Sequence, residues 1–221
     1  MQNRSFALAA LAPLVMLAAC NSDMTFAPST NPNALIRFIN ASAALIDVSN
    51  ASPGDTANSN LGYGGSSTCL IVSPSTPQLA FRQSGTTTPI AFTPRFAAGR
   101  QYEVVASTTA SGATRLDTLD ITYRVPVGQA AVRVFNAAPG SGSLVPMLNH
   151  VPLGSGTAVS YGAAGGFTPV PAGAQNVSFN TGTATVLDAG NITFFTDVRT
   201  TVIVAPAATG TGLRAFGVTS C

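Results

Sequence analysis

The sequence predicts an all-β chain: two tandem antiparallel β-sandwiches of immunoglobulin-like type, set behind an N-terminal processing signal. Composition is the first observation. Of 221 residues, 46% are hydrophobic and only 8% are charged, against roughly 25% charged in an ordinary soluble domain. All ten basic residues are Arg, and 21 Gly and 15 Pro punctuate the chain. Many small, β-branched and turn-forming residues with few charges fit an extracytoplasmic β-protein better than a helical enzyme. The second observation is a repeated phrase, "IRFINASAA" at 36–44 and "VRVFNAAPG" at 132–140. The third is rhythm. Turn elements such as Ser52-Pro53-Gly54, Ala138-Pro139-Gly140, Thr181-Gly182 and Ala189-Gly190-Asn191 recur, spaced about 8–12 residues as short strands require. No helical apolar stripe occurs outside the N-terminal segment.

Residues 1–20 read "MQNRSFALAALAPLVMLAAC". Arg4 precedes an apolar run from Phe6 to Ala18. The run is shorter than the about 20 residues of a bilayer-spanning helix but suits the core of a signal peptide. It ends in Leu17-Ala18-Ala19-Cys20, which resembles the lipobox of bacterial lipoproteins. Small residues there fit the signal peptidase, and the thiol of Cys20 would carry the lipid, palmitate included. Asn21 follows; with no Asp at that position, a Gram-negative host would sort the protein to the outer membrane, facing the periplasm or the surface. The lipid would be its membrane attachment. Residues 21–33, polar and holding two Pro, read as a flexible tether with a reach of about 20 Å.

The repeated phrase anchors a longer alignment. Arg37 meets Arg133 and Asn40 meets Asn136; Tyr63-Gly64 meets Tyr161-Gly162, and Phe81 meets Phe179. "RQYEVVAS" (100–107) meets "RTTVIVAP" (199–206), and "GATRLDTLDI" (112–121) meets "GTGLRAFGV" (210–218). These anchors keep their order, so the chain divides into a signal peptide at 1–19, the lipidated Cys and tether at 20–33, and β-sandwich repeats at 34–124 and 130–221. Residues 125–129 link the repeats. Strands are expected at Leu35–Asn40, Ala131–Asn136, Gln101–Ala106 and Thr200–Ala205, with partial alternation in 176–186 and 191–198.

The opening "VRVFNAAPG", followed by Tyr161-Gly162 and by Val170-Pro171-Ala172-Gly173, resembles the DUF4397 family of bacterial lipoproteins. The first unit departs from that pattern, with Ser42-Ala43 in the Pro-containing turn and Pro74-Ser75-Thr76 where "VPAG" is expected. The resemblance implies the fold and an envelope location. It implies no chemistry, because the function of that family is not established.

Candidate sites give little support to an enzyme. His150 is the one histidine; a Ser-His-Asp or Cys-His arrangement would need it, and no G-x-S-x-G element supplies a nucleophile. It reads as a turn residue. There is no C-x-x-C, second His or calcium loop, so neither metal nor cofactor is expected. Asp117 and Asp120 are the closest carboxylates, but residues three apart on a strand point to opposite faces, which is wrong for a glycosidase pair. "GYGGSS" (62–67) and "YGAAGG" (161–166) lack the helix and Lys of a phosphate cradle and read as tight β-connections, each with its Tyr at a sheet corner. Arg37 and Arg133 are either glycan- or carboxylate-binding groups or structural Arg whose heads pair with a local acid such as Asp47. Asn40, Asn50, Asn176 and Asn191 lie in N-x-S/T sequons, read as strand ends and turns in a bacterial protein. A net charge of +2 with no Arg run excludes a nucleic-acid partner.

With Cys20 lipidated, Cys69 and Cys221 are the remaining thiols, in an oxidising compartment. Cys69 aligns with Phe167 and Cys221 with Tyr123, so neither unit can form its own internal bond. A Cys69–Cys221 disulfide between the units is the expectation, with two free thiols or an intermolecular bond as the alternatives. The function expected is non-enzymatic, a lipid-anchored module that binds an envelope protein or a polysaccharide. A glycan hydrolase with a carboxylate pair is the alternative.

Overall fold

The computed structural model describes residues 32–50, 56–74 and 79–221. The signal peptide, Cys20, the tether as far as residue 31, the turn at 52–54 and residues 75–76 lie outside the described residues. Among those described the protein is all-β, with no helix. Its strands run β1 Ala34–Asn40, β2 Ile46–Asn50, β3 Thr56–Leu61, β4 Leu70–Val72, β5 Leu79–Gln83, β6 Gln101–Thr108 and β7 Thr114–Asp120. They continue β8 Ala130–Asn136, β9 Val145–Leu148, β10 Val151–Pro152, β11 Thr168–Val170 and β12 Gly173–Thr181. The last three are β13 Ala184–Phe194, β14 Arg199–Pro206 and β15 Leu213–Thr219.

Four sheets form. Two inner sheets have the orders β4-β1-β6-β7 and β11-β8-β14-β15; two outer sheets have the orders β3-β2-β5 and β10-β9-β12-β13. The inner sheets are paired alike. β1 lies antiparallel to β4 and parallel to β6, as β8 lies antiparallel to β11 and parallel to β14. This corrects the expectation of purely antiparallel sheets. The physical reason is burial on both faces, which parallel strands require and which produces near-continuous apolar runs. All seven residues of β8 are buried, as are the six central residues of β6 and of β14.

Alternation along these strands sends side chains into three cores. Ile36 and Phe38 of β1, with Val104 and Ala106 of β6, meet Ile46, Val48 and Phe81 of the first outer sheet. Val132 and Val134 of β8, with Val202 and Val204 of β14, meet Val177, Phe179 and Phe194 of the second. The intervening residues Ile39, Val105, Phe135 and Ile203 form a third core where the two inner sheets face each other. Each fully buried side chain of this size contributes about 1.5–3 kcal/mol, so the halves are joined by a seam that is itself a core.

The repeated residues hold turns. Asn40 donates from Nδ2 to the carbonyl oxygens of Ala44 and Leu61, and its Oδ1 accepts from the Ser42 backbone NH. Asn136 repeats this with the carbonyl oxygen of Val159 and the Ala138 NH. Gly64 and Gly162 follow the two Tyr with φ of 76° and 74°, and their NH groups donate to the carbonyls of Asn40 and Asn136. That left-handed backbone is the reason each Tyr is followed by Gly.

The halves differ on one side. β13 completes the second outer sheet, whereas residues 84–100 contain Pro89 and Pro94, which cannot donate to a ladder, make only an isolated bridge to Arg82 through Pro89, and lay Ile90, Phe92 and Phe96 on the first core. β13 ends at Phe194, short of the strand expected through residue 198.

Candidate functional site

The residues singled out in the sequence separate into a buried seam and several isolated surface positions. His150 is exposed and, with Asn149, has positive φ (66° and 49°) in the two-residue turn joining β9 to β10. That is the geometry of a tight hairpin turn. Asp117 pairs with Arg115 and accepts from Ser107 Oγ, while Asp120 pairs with Arg100 at 3.3 Å and caps the Thr122 NH. The two carboxylates thus serve different partners.

Arg37 and Arg133 sit on the seam face, and neither pairs with Asp47. The expectation of an acid within the same unit is corrected: Arg133 reaches into the other half. Its Nη2 donates to Glu103 Oε2 at 3.1 Å, its Nη1 to the Asp120 carbonyl at 2.8 Å and its Nε to Thr201 Oγ1 at 3.0 Å. Glu103 is fully buried, and its remaining capacity is taken by the hydroxyls of Thr201 (2.6 Å) and Ser220 (2.9 Å). Burial pulls the Arg133 guanidinium below its ordinary value, and Glu103 opposes that pull. Arg199, lowered by burial for the same reason, donates to the Ile121 carbonyl at 2.6 Å and to Gln101 Oε1. In the mirrored position Arg37 donates to the Thr219 carbonyl and to Cys69 Sγ. Buried, and hydrogen-bonded within the protein at each of its three nitrogens, Arg133 is placed as a structural cation.

The Cys69–Cys221 disulfide is formed, with Cα atoms 5.9 Å apart. At the matching place on the other side of the seam, Tyr123 stacks on Phe167 with centroids 5.2 Å apart, and the Arg133 guanidinium lies 4.7 Å over the Phe167 ring. The covalent bond thus stands where the other side has an aromatic stack. Tyr63 and Tyr161, expected at sheet corners, also cross the seam: Tyr63 meets Phe216 edge-on at 5.6 Å and Tyr161 lies under Arg115 at 5.1 Å. Burial raises the Tyr63 phenol above its ordinary value.

All six described carboxylates are engaged. Besides Glu103, Asp117 and Asp120, Asp188 accepts from the Gly190 NH and Asp197 from the Gly128 NH. Asp47 accepts from Ser84 Oγ at 2.6 Å and the Asn60 NH at 2.8 Å, with Arg82 at 3.9 Å. These contacts, the Ser84 bond first, hold Asp47 below the usual aspartate value, near 3.9. A depressed carboxylate stabilises the fold above its unfolded value and loses that effect as pH falls through its folded value. Asp47→Asn is therefore expected to cost about 1–2 kcal/mol at pH 7. The gap from the unmodified protein should begin to narrow as pH falls past about 4 and close only as it falls through the lower folded value, as a series of thermal melts from pH 7 downward would show. Among the described residues no three His, Cys, Asp or Glu gather as metal ligands.

The sequence did not single out a cavity of about 260 Å³ in the second half. Buried Val134 and Val159 form its floor, Leu153 and Phe167 its apolar walls, and Ser155, Thr157 and Thr168 bring hydroxyls. Its origin lies in the two halves' differences. Gly165 NH donates to the Val134 carbonyl as Ser67 NH donates to that of Phe38, so Val134 stands where the first half has Phe38. Thr168 pairs with Val132 as Leu70 pairs with Ile36, so Thr168 stands where the first half has Leu70. In the first half the Phe38 ring is fully buried against Phe81, 5.1 Å away. In the second half a smaller side chain and a hydroxyl leave that space open.

The family model described as "Domain of unknown function (DUF4397)" matches residues 34–145, just over half of the chain. The match starts at β1 and runs through β8 to the first residue of β9. No curated protein matches the chain.

Proposed function

The chain belongs to the DUF4397 family, and from that premise we propose that it is a non-enzymatic, lipid-anchored envelope protein that binds a polymer of the envelope, a polysaccharide or another protein. In this reading the chain is two tandem sandwiches of immunoglobulin-like layering, 34–124 and 130–221, held as one body. The identical order and pairing of the inner sheets supports the repeat. One observation carries the non-enzymatic reading: each described carboxylate is already engaged by an Arg, a hydroxyl or a backbone NH, as structural groups are. A glycan hydrolase would need two carboxylates free to face a substrate. The cavity of the second half is the contact site in this reading, and loops joining the strands would extend it.

The anchor is tested at Cys20. The unmodified protein should take up labelled palmitate and fractionate with outer membrane, and Cys20→Ala should lose all label and accumulate unprocessed. Unmodified protein recovered from the periplasm in soluble form, with no lipid mass, would overturn the anchored reading. Binding is tested by retention of the full chain on isolated envelope polysaccharide and by crosslinking in envelope extracts.

A further inference from the structure

We infer that the cavity of the second half takes one neutral pyranose residue of an envelope polysaccharide, with Val134 and Thr168 as its specificity-determining positions. This rests on the reading of the protein as a binder of envelope polymers, and it names the chemistry of that site.

Size comes first. At about 260 Å³ the cavity falls just below the roughly 300–1,000 Å³ of pockets that enclose drug-sized molecules. It admits a single ring, not an extended chain. Its floor is sealed by buried Val134 and Val159, and its rim holds the exposed Ser155 and Thr157, so a terminal or protruding residue of a polymer can enter.

Polarity comes next. No charged side chain lines the cavity, and a charge brought there would lose water without gaining a partner. An acidic sugar or a phosphate is thereby disfavoured. A wholly apolar group is also a poor match, because three hydroxyl-bearing residues, Ser155, Thr157 and Thr168, line the cavity. Ser155 and Thr157 are within 2.6 Å of each other and form one donor–acceptor pair. Thr168 Oγ1 faces the same loop closely: a Cβ on Gly154 would come within 2.7 Å of it. A pyranose has the matching anatomy, with an apolar C–H face for Val134, Leu153 and Phe167 and a hydroxyl edge for the three oxygens.

Rigidity completes the argument. Phe167 is held by the Tyr123 stack and by the Arg133 guanidinium over its ring, so this wall residue is already fixed before a ligand arrives. Pre-formed walls reduce the ordering that binding would otherwise require.

The decisive variants restore the first half's residues, Val134→Phe and Thr168→Leu, each made in the full chain. The probe is a panel of neutral methyl pyranosides and N-acetylhexosamines beside the matching uronic acids, read by saturation-transfer NMR. Retention on envelope polysaccharide is measured in parallel. The unmodified protein should bind at least one neutral sugar and no uronic acid, and each variant should lose more than about tenfold in affinity while melting at an unchanged or higher temperature. Thr168→Leu keeps the test open should Val134→Phe fail to fold. Sugar binding that survives in a folded variant, or preference for uronic acids, overturns the inference. If polysaccharide retention also survives, the polymer-binding reading stands and only the cavity assignment falls. Binding to an envelope protein with no sugar bound overturns the inference and leaves the protein-binding form of the proposal. Failure to retain or crosslink any envelope polymer overturns both.

Discussion

Replacing Glu103 with alanine is expected to destabilise the protein by about 3–5 kcal/mol, the cost of leaving a buried cation without its partner. Three groups depend on that one carboxylate. Arg133 donates to Oε2 at 3.1 Å, Thr201 to the same oxygen at 2.6 Å and Ser220 to Oε1 at 2.9 Å. Arg199, also half-buried, draws its remaining favourable charge interaction from Glu103. Removal would leave the buried Arg133 guanidinium without its counter-ion and would take from Arg199 that attraction. Glu103→Gln separates charge from hydrogen bonding, because the amide oxygen can still accept while the negative charge is gone. It should lose less than the alanine variant. A third variant, Glu103→Leu with Arg133→Met, removes both charges together and should recover most of the stability, since replacing a whole buried pair by apolar groups of similar volume is often neutral. Chemical denaturation of the three variants checks the order. Equal losses in the single and double variants would show that the ion pair is not what holds the seam.

The seam also shows how far the sequence could be read. The repeated phrase was legible because it carries groups with fixed jobs: Asn40 and Asn136 brace the turns, and Gly64 and Gly162 supply left-handed backbone. The disulfide was legible for a related reason. Alignment put both thiols opposite aromatic residues of the other half, and those aromatics proved to be a stacked pair. The partner of Arg133 was not legible. Glu103 lies in the other half, and nothing in local spacing points from β8 to β6 of a different sheet. The parallel pairing of the inner strands shows in the sequence as dense apolar runs, but parallel and antiparallel strands differ little in composition, so the pairing itself is not legible there. The cavity was hidden by the alignment itself. Matching "IRFIN" to "VRVFN" rewards shared Arg and Asn and passes over the exchange of Phe38 for Val134, although that exchange of volume is what opens the space.

Removing the disulfide, with Cys69→Ser and Cys221→Ser together, is expected to cost about 2–5 kcal/mol. The bond joins residues 152 apart, and the chain-entropy model gives on the order of 5 kcal/mol for a loop of that length as its upper figure. The native state should change little, because the seam retains its apolar layer, the Glu103–Arg133 pair and the Tyr123–Phe167 stack. The effect should therefore act chiefly on the unfolded chain. The variant should keep its far-UV spectrum and its cavity, and its cooperativity should survive because both halves still share one core. A local consequence follows at Arg37, which donates to Cys69 Sγ and to the Thr219 carbonyl beside the C-terminal strand. Amides of β15 should exchange with solvent faster in the variant than those of β7, its counterpart across the seam. Urea denaturation of the oxidised, reduced and double-Ser proteins provides the check. The last two should unfold together, at lower denaturant than the oxidised form. Coincidence of all three curves would mean that the non-covalent seam alone sets the stability of the pair.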